Sequence, residues 1–219
     1  MEFEHLHDWD LTPAEARALQ TELAQRLEDR PLALDELRWV AGVDVSVRDE
    51  MAQAAVVVLS FPALEIVETV TARRPVSYPY IPGLLSFREG PVLLEAFAKL
   101  RRTPDVLLFD GMGRIHPRRL GIAAHMGLWL GWPTLGIGKT HFLGEYAPPG
   151  LARGERSDLT YQGERLGVVL RTRARVKPVY VSAGHLLDLE SAVALALACT
   201  MRYRLPQPIR AAHLAAGRI

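Results

Sequence analysis

The chain of 219 residues has little of several features that would each mark a particular class of protein. Its single cysteine, Cys199, excludes an internal disulfide and any zinc site built from clustered cysteines. The longest apolar run, residues 192–199, is too short to span a bilayer. The first residues lack both the basic and the apolar segment of a secretory signal. These absences predict a cytoplasmic protein with no membrane partner.

Asparagine is absent and lysine is scarce, with 23 Arg against 3 Lys, a bias that a GC-rich genome largely explains. The distribution of charge is more informative than the net value of +1. Residues 1–50 carry 13 acids and 5 bases, a balance of −8, whereas residues 51–219 carry 12 acids and 21 bases, a balance of +9. Such asymmetry indicates a polyanionic partner for the basic part, which includes a run at 171–177.

Hydrophobic periodicity predicts one α/β domain over residues 1–219. A capping box at Thr12 opens a first helix that carries the stripe Ala16, Leu19, Leu23 and Leu27. Alternation then predicts three antiparallel strands, followed by helices and strands in turn. The expected strands are 39–47, 54–61, 65–71, 105–110, 134–137, 164–171 and 178–182, and the expected later helices are 91–101, 119–131, 188–203 and a short one around 213.

This order predicts a mixed β-sheet flanked by helices. The same order of elements resembles that of the ribonuclease H-like fold.

Three acids are candidates for chemistry. Asp44 lies mid-strand on a face with Gly42 and Ser46, where a solvent-facing polar position is the alternative explanation. Asp110 ends a buried strand, where ligands gather in α/β sheets, although Asp-Gly turns are also common at strand ends. Glu89 precedes Pro91, the expected start of a helix, and the helix dipole alone would account for an acid there.

If the first and fourth strands are neighbours, Asp44 and Asp110 meet near one end of the sheet. Clustered carboxylates repel each other unless a cation neutralises them. Oxygen ligands select a hard ion, Mg²⁺ or alternatively Mn²⁺, and such ions activate water for phosphodiester hydrolysis. The sequence therefore predicts a metal site formed by Asp44, Glu89 and Asp110.

The segment Tyr-Pro-Tyr-Ile-Pro-Gly at 78–83, called the wedge loop below, is stiffened by two prolines and presents apolar groups. One interpretation is a packed loop with a buried tyrosine. The other is a rigid wedge that enters the base steps of a duplex, as enzymes that inspect a base must unstack it.

The remaining polar candidates are single residues. Gly136-Ile-Gly-Lys139-Thr imitates the end of a phosphate-binding loop, but Pro133 occupies the place of its first glycine, so nucleotide binding is rejected. Lys139 and His116 are retained as candidate phosphate contacts. The seven histidines show no metal-ligand spacing, and His125 and Cys199 are expected in the core.

Several segments together resemble the endonuclease V family along nearly the whole chain and in order. The segments that carry the resemblance are 40–46, 74–89, 110–119, 136–140, 177–185 and 209–213. The wedge loop and the motif Asp-Gly-x-Gly-x-x-His-Pro at 110–117 are specific in combination.

The resemblance implies a ribonuclease H-like, metal-dependent endonuclease that recognises hypoxanthine in deoxyinosine. It implies hydrolysis of the second phosphodiester 3′ to the lesion, leaving 3′-hydroxyl and 5′-phosphate ends. By position it implies catalytic roles for Asp44, Glu89, Asp110, Lys139 and His213. The residues expected to contact DNA are Pro79, Tyr80, Ile81, Pro82, Gly83, Leu85, Gly111, His116 and Ile122.

The substrate stays open between DNA with deoxyinosine and RNA with inosine, and the protein is expected to be a monomer. Two other functions compete with this one. A junction resolvase or hybrid-specific ribonuclease would share the acids without needing the wedge loop. A non-catalytic nucleic-acid-binding domain would need the basic surface without three acids.

Overall fold

The computed structural model describes residue 3 and residues 5–217. Within them, five helices flank one sheet of eight strands. The helices are α1 (Pro13–Leu23), α2 (Leu85–Phe97), α3 (Ile122–Leu130), α4 (Leu189–Ala198) and α5 (Gln207–Ala216). The strands are β1 (Trp39–Arg48), β2 (Met51–Ser60), β3 (Ile66–Pro75), β4 (Val106–Phe109), β5 (Thr134–Gly138), β6 (Arg156–Tyr161), β7 (Glu164–Leu170) and β8 (Val179–Ala183).

The sheet is mixed, as predicted, with the strand order β3-β2-β1-β4-β5-β8-β7-β6. The first three strands form the expected antiparallel meander. The centre is parallel, because β4 pairs with β1 on one side and with β5 on the other. The carboxyl ends of these three central strands therefore share one edge of the sheet, where polar side chains can gather.

Each face of the sheet is covered by helices and carries its own apolar layer. One layer combines alternate strand residues such as Val40, Leu108 and Ile137 with α4 and α5. The other combines residues such as Val43 and Phe109 with α2 and α3. None of the described helices is long and apolar enough to cross a membrane.

Local signals account for several element boundaries. Thr12 caps α1, its side chain accepting from the Glu15 N–H while the Glu15 carboxylate accepts from the Thr12 N–H. Asp49 and Glu50 both adopt positive φ in the two-residue turn between β1 and β2, the geometry that matches the twist of a hairpin. The strands expected near 164–171 and 178–182 are β7 and β8, and they pair with each other in an antiparallel ladder.

Three sequence expectations were wrong. Helix α2 begins at Leu85, and Pro91 lies inside it, so Glu89 sits in the second turn rather than before the helix. The strand β6 was missed, although the two-residue turn at Gln162 and Gly163, both with positive φ, is a hairpin signal. Helix α4 ends at Ala198 instead of continuing to 203, and its Leu197 carbonyl accepts from the Arg153 guanidinium.

Candidate active site

Asp44 and Asp110 lie side by side at the carboxyl edge of the parallel strands. Val43 of β1 is opposite Phe109 of β4, and the Asp110 N–H donates to the Val43 carbonyl over 2.9 Å. Only 11% of the Asp44 side chain and 10% of the Asp110 side chain are exposed. The structure thus brings the two aspartates together, because β1 and β4 are neighbours, the condition on which the sequence hypothesis depended.

His213 reaches the aspartates because α5 packs unusually close to β1. A Cβ atom at Gly42 would lie 1.9 Å from the carbonyl oxygen of Pro208, so only glycine permits this approach. The packing places His213 Nδ1 2.8 Å from Asp44 Oδ2. When Asp44 is ionised, His213 donates to it through Nδ1, and in the neutral form of the ring the lone pair is then on Nε2.

Asp44, Asp110 and His213 form a group whose ligand atoms all lie within 4.8 Å of one another. Burial raises the pKa of Asp44, and the charge of Asp110 raises it further, while hydrogen bonding from His213 opposes both effects. Two such carboxylates favour a proton or a cation between them. Their oxygen donors fit a hard divalent ion that completes its coordination shell with water.

Lys139 follows β5 directly and adds a positive charge to the group. Its ammonium contacts Asp110 Oδ2. The contact follows from the parallel pairing of β4 with β5, which sets Phe109 opposite Gly136 and so brings both strand ends to one edge.

Glu89 lies near the group but outside it. Among the described residues, it is absent from the set of acids and histidines with ligand atoms within 4.8 Å of one another. Burial raises the pKa of Glu89 to about 8, helped by the charge of Asp44 and then opposed by the charge of Arg88. Its role as a metal ligand stays a prediction.

A cavity of about 180 Å³ adjoins the acids, and Gly111, the neighbour of Asp110, forms part of its wall. The predicted nucleic-acid-binding residues that line it are Tyr80, Ile81, Pro82, Gly83, Leu85, Gly111, His116 and Ile122. Pro79 is not among the lining residues. Tyr80 stands at the cavity with 69% of the residue exposed, whereas Tyr78 of the same loop is buried.

The wedge loop is held by three donors on one carbonyl, that of Gly83. Gln20 Nε2, Arg118 Nη2 and His116 Nε2 each lie 3.0 Å from this oxygen. Gly83 itself adopts φ +81°, a conformation that favours glycine. We call Gln20, His116 and Arg118 the Gly83 collar.

Sequence reasoning missed Gln20 and Arg118. The available signal for Gln20 was an amide four residues after Ala16, on the buried face of α1. His116 accepts the Arg118 N–H at Nδ1, so both its ring nitrogens have partners within the protein. Burial lowers its pKa to about 4, which keeps the ring neutral. It therefore lines the cavity as a neutral group, and its contact with nucleic acid stays a prediction.

Other candidates from the sequence belong to the core. His125 is buried between Ser86 and His7, with contacts of 2.8 and 2.6 Å. Cys199 is fully buried, and burial raises the pKa of its thiol to about 12. Arg171, the first base of the run at 171–177, donates to three backbone carbonyls and is a structural residue.

Comparison with known proteins finds relatives that share one family description. The sequence model of a family described as Endonuclease V matches residues 21–214. An Endonuclease V of Dehalococcoides mccartyi (strain CBDB1) is 49% identical over 216 residues, covering 98% of this chain and 96% of the relative. One of Nostoc punctiforme is 44% identical over 214 residues, covering 97% of each.

Solved structures agree in fold. The Endonuclease V of Streptomyces avermitilis has a TM-score of 0.92 at 43% identity, with 96% of this chain and 93% of that chain covered. The Endonuclease V of Ciona intestinalis was crystallised with a 24-mer DNA containing an inosine followed by a ribo-adenosine. It has a TM-score of 0.80 at 30% identity, with 93% and 95% covered. These matches confirm the predicted ribonuclease H-like fold.

Proposed function

The chain belongs to the endonuclease V family, and from this premise we propose that it cleaves a strand carrying hypoxanthine, with deoxyinosine-containing DNA as the substrate. The proposed cut is the second phosphodiester 3′ to the lesion. Water adds to phosphorus and the bond to the 3′ oxygen breaks, so that 3′-hydroxyl and 5′-phosphate ends result. Inosine-containing RNA is the alternative substrate, and a monomeric state and cytoplasmic location stay predictions.

One observation carries the proposal: the cavity lined by the wedge loop lies next to the acid group along the chain. Gly111 lines the cavity, and Asp110 precedes it in the chain. A volume of about 180 Å³ is below the roughly 300–1,000 Å³ of pockets for drug-sized ligands, which suits a single base. An extruded base held there leaves its strand beside Asp44 and Asp110.

The side chains divide the work. Asp44 and Asp110 would hold Mg²⁺, or Mn²⁺ in its place, and Glu89 is proposed as a further ligand. When bound, the ion supplies positive charge that activates water and stabilises the transferring phosphate. Lys139 sets its ammonium beside Asp110, where it neutralises charge on the phosphate. His213, oriented by Asp44, is placed to move a proton through Nε2.

The wedge loop accounts for recognition rather than hydrolysis. The exposed ring of Tyr80 can enter the space left by the extruded base, and the Gly83 collar holds the loop rigid against the cavity. Rigidity matters because a wedge must resist the stacking energy that it displaces, a few kcal/mol per base step.

The test is cleavage of matched oligonucleotides with and without one deoxyinosine, as DNA and as RNA, in Mg²⁺ and in EDTA. Products resolved to single nucleotides locate the cut. Equal cleavage of the lesion-free duplex would favour a general ribonuclease H-like nuclease, and binding without cleavage would favour a non-catalytic domain.

Substitution separates the two parts of the site. Asp44→Asn should reduce cleavage by about 100-fold or more while leaving lesion binding intact, with Asp49→Asn in the exposed β1–β2 turn as the matched control. Tyr80→Ala should weaken binding to the deoxyinosine duplex, and Tyr80→Phe should retain it. Metal-dependent cleavage at the normal rate by Asp44→Asn would refute the metal site.

A further inference from the structure

The loop between α4 and α5, together with Arg210 of α5, presents a positively charged surface that the proposed function does not use. The guanidinium of Arg210 lies 3.5 Å from the ring centroid of Tyr203, and that of Arg202 lies 5.8 Å from it. Tyr203 is 44% exposed. We call Arg202, Tyr203 and Arg210 the cationic platform.

The charge of the platform is not neutralised. Seven other arginines of the described residues form ion pairs with carboxylates; they are Arg30, Arg48, Arg74, Arg114, Arg119, Arg156 and Arg165. Arg202 and Arg210 form no ion pair with an acid of the described chain. An aromatic ring orders these guanidinium groups without cancelling their charge, which suits a polyanion.

The platform is connected to the acid group in two ways, through Lys139 and through helix α5. Arg204, the residue after Tyr203, donates to the backbone carbonyl of Lys139. The loop is anchored in turn by Thr172, whose hydroxyl donates to the Arg204 carbonyl over 2.6 Å. Arg210 precedes His213 by three residues on α5, so both side chains lie on one helix face.

We infer that the cationic platform binds the phosphate backbone of the substrate strand on the 3′ side of the cut. This inference rests on the proposed function. Contacts within the site lead from the cavity at Gly111 through Asp110 and Asp44 to His213, and Arg210 follows on the same helix. A strand with its base in the cavity and its phosphate at the acids therefore reaches the platform with the nucleotides beyond the cut.

The experiment compares two kinds of deoxyinosine duplex. In the short duplex the lesion-carrying strand ends just after the proposed cut, and in the extended duplex it continues for eight further nucleotides on the 3′ side. Binding is measured by fluorescence anisotropy in EDTA over 50–200 mM salt, for the wild type and for the double variant Arg202→Gln/Arg210→Gln. The affinity falls as salt rises, so the slope of log affinity against log salt is negative. Losing two phosphate contacts should make this slope shallower by about two. At 50 mM salt the affinity for the extended duplex should fall about tenfold, and that for the short duplex should not change.

A matched control exists at the amino ends of the parallel strands, away from the acid group. Arg102 stacks on Trp39 at the start of β1, with its guanidinium 5.6 Å from the ring centroid, and Arg101 is exposed beside it. Arg101→Gln/Arg102→Gln should bind both duplexes as the wild type does. The double variant Arg202→Lys/Arg210→Lys keeps the charge and should retain the salt slope. Thermal melting checks that each variant folds.

The outcomes separate the two proposals. Absence of deoxyinosine-dependent cleavage by the wild type would overturn the proposed function. Lesion-dependent cleavage combined with unchanged binding by the glutamine double variant would overturn only the platform. An equal loss on short and extended duplexes would also overturn it, because the contacts would then lie on the lesion side.

Discussion

Replacing Glu89 with glutamine should stabilise the metal-free protein at alkaline pH. The pKa of Glu89 rises from 4.5 to about 8, first because of burial and next because of the charge of Asp44. Between these two pH values the unfolded chain releases a proton that the native protein retains, so the free energy of unfolding falls as pH rises. At 1.36 kcal/mol per pKa unit, the loss amounts to at most about 5 kcal/mol.

Urea unfolding in EDTA at pH 4.5, 6, 7, 8 and 9 measures this loss. The free energy of unfolding of Glu89→Gln should exceed that of the wild type by a margin that grows with pH through the window, because the buried histidines titrate in both proteins. Glu22→Gln, on the exposed side of α1, is the control and should follow the wild type. Asp44 titrates in all three proteins, and its coupling to the charge of Glu89 is part of the measured difference.

Parallel curves for the wild type and Glu89→Gln would refute the assignment of a raised pKa to Glu89. Adding Mg²⁺ extends the test, since an ion held by Glu89 favours its ionised form and should narrow the difference between the two proteins at pH 8. An unchanged difference would contradict the prediction that Glu89 is a metal ligand.

Three further substitutions test the packing that holds the site. Gly42→Ala drives a methyl group into the Pro208 carbonyl and should cost about 1–3 kcal/mol, seen as a lower melting temperature together with reduced cleavage. Gln20→Leu removes a donor from the Gly83 carbonyl and should cost about 1–3 kcal/mol while weakening lesion binding; unchanged binding would contradict the role of the collar. Thr12→Ala removes the N-cap of α1 and should cost about 1 kcal/mol in urea unfolding, without changing cleavage rates.

Much of the central sheet was predictable because its signals are local. Alternation and turn residues were enough to identify the strands that became β1 to β5, β7 and β8. The failures had different causes, and the strand β6 was missed in spite of the local turn signal at Gln162 and Gly163. Pro91 is a good first residue of a helix, yet α2 starts six residues earlier. Helix α4 stops at Ala198, and residues 200–205 instead form a loop held by Thr172 and Lys139.

The two acids were identifiable for the same reason, since Asp44 lies in a strand and Asp110 directly follows one, and their meeting depended on the first and fourth strands being neighbours. The partner of Asp44 was not predictable from periodicity, because His213 lies 169 residues away. The one local trace is Gly42, which shares a strand face with Asp44 and lets α5 approach. A glycine two residues before a candidate ligand, in a strand rich in valine, indicates close packing rather than flexibility.

The proposed cutting and recognition parts of the site are joined by the peptide bond between Asp110 and Gly111, and this has a consequence for specificity. Asp110 is held by β4 and its parallel neighbours, while Gly111 begins the wall of the cavity. The remaining wall comes from the wedge loop, which the Gly83 collar attaches to α1 and to the segment after β4. Changes in the loop therefore reshape the cavity without moving the acids. Variation in the cavity should alter which bases are accepted before it alters where the strand is cut.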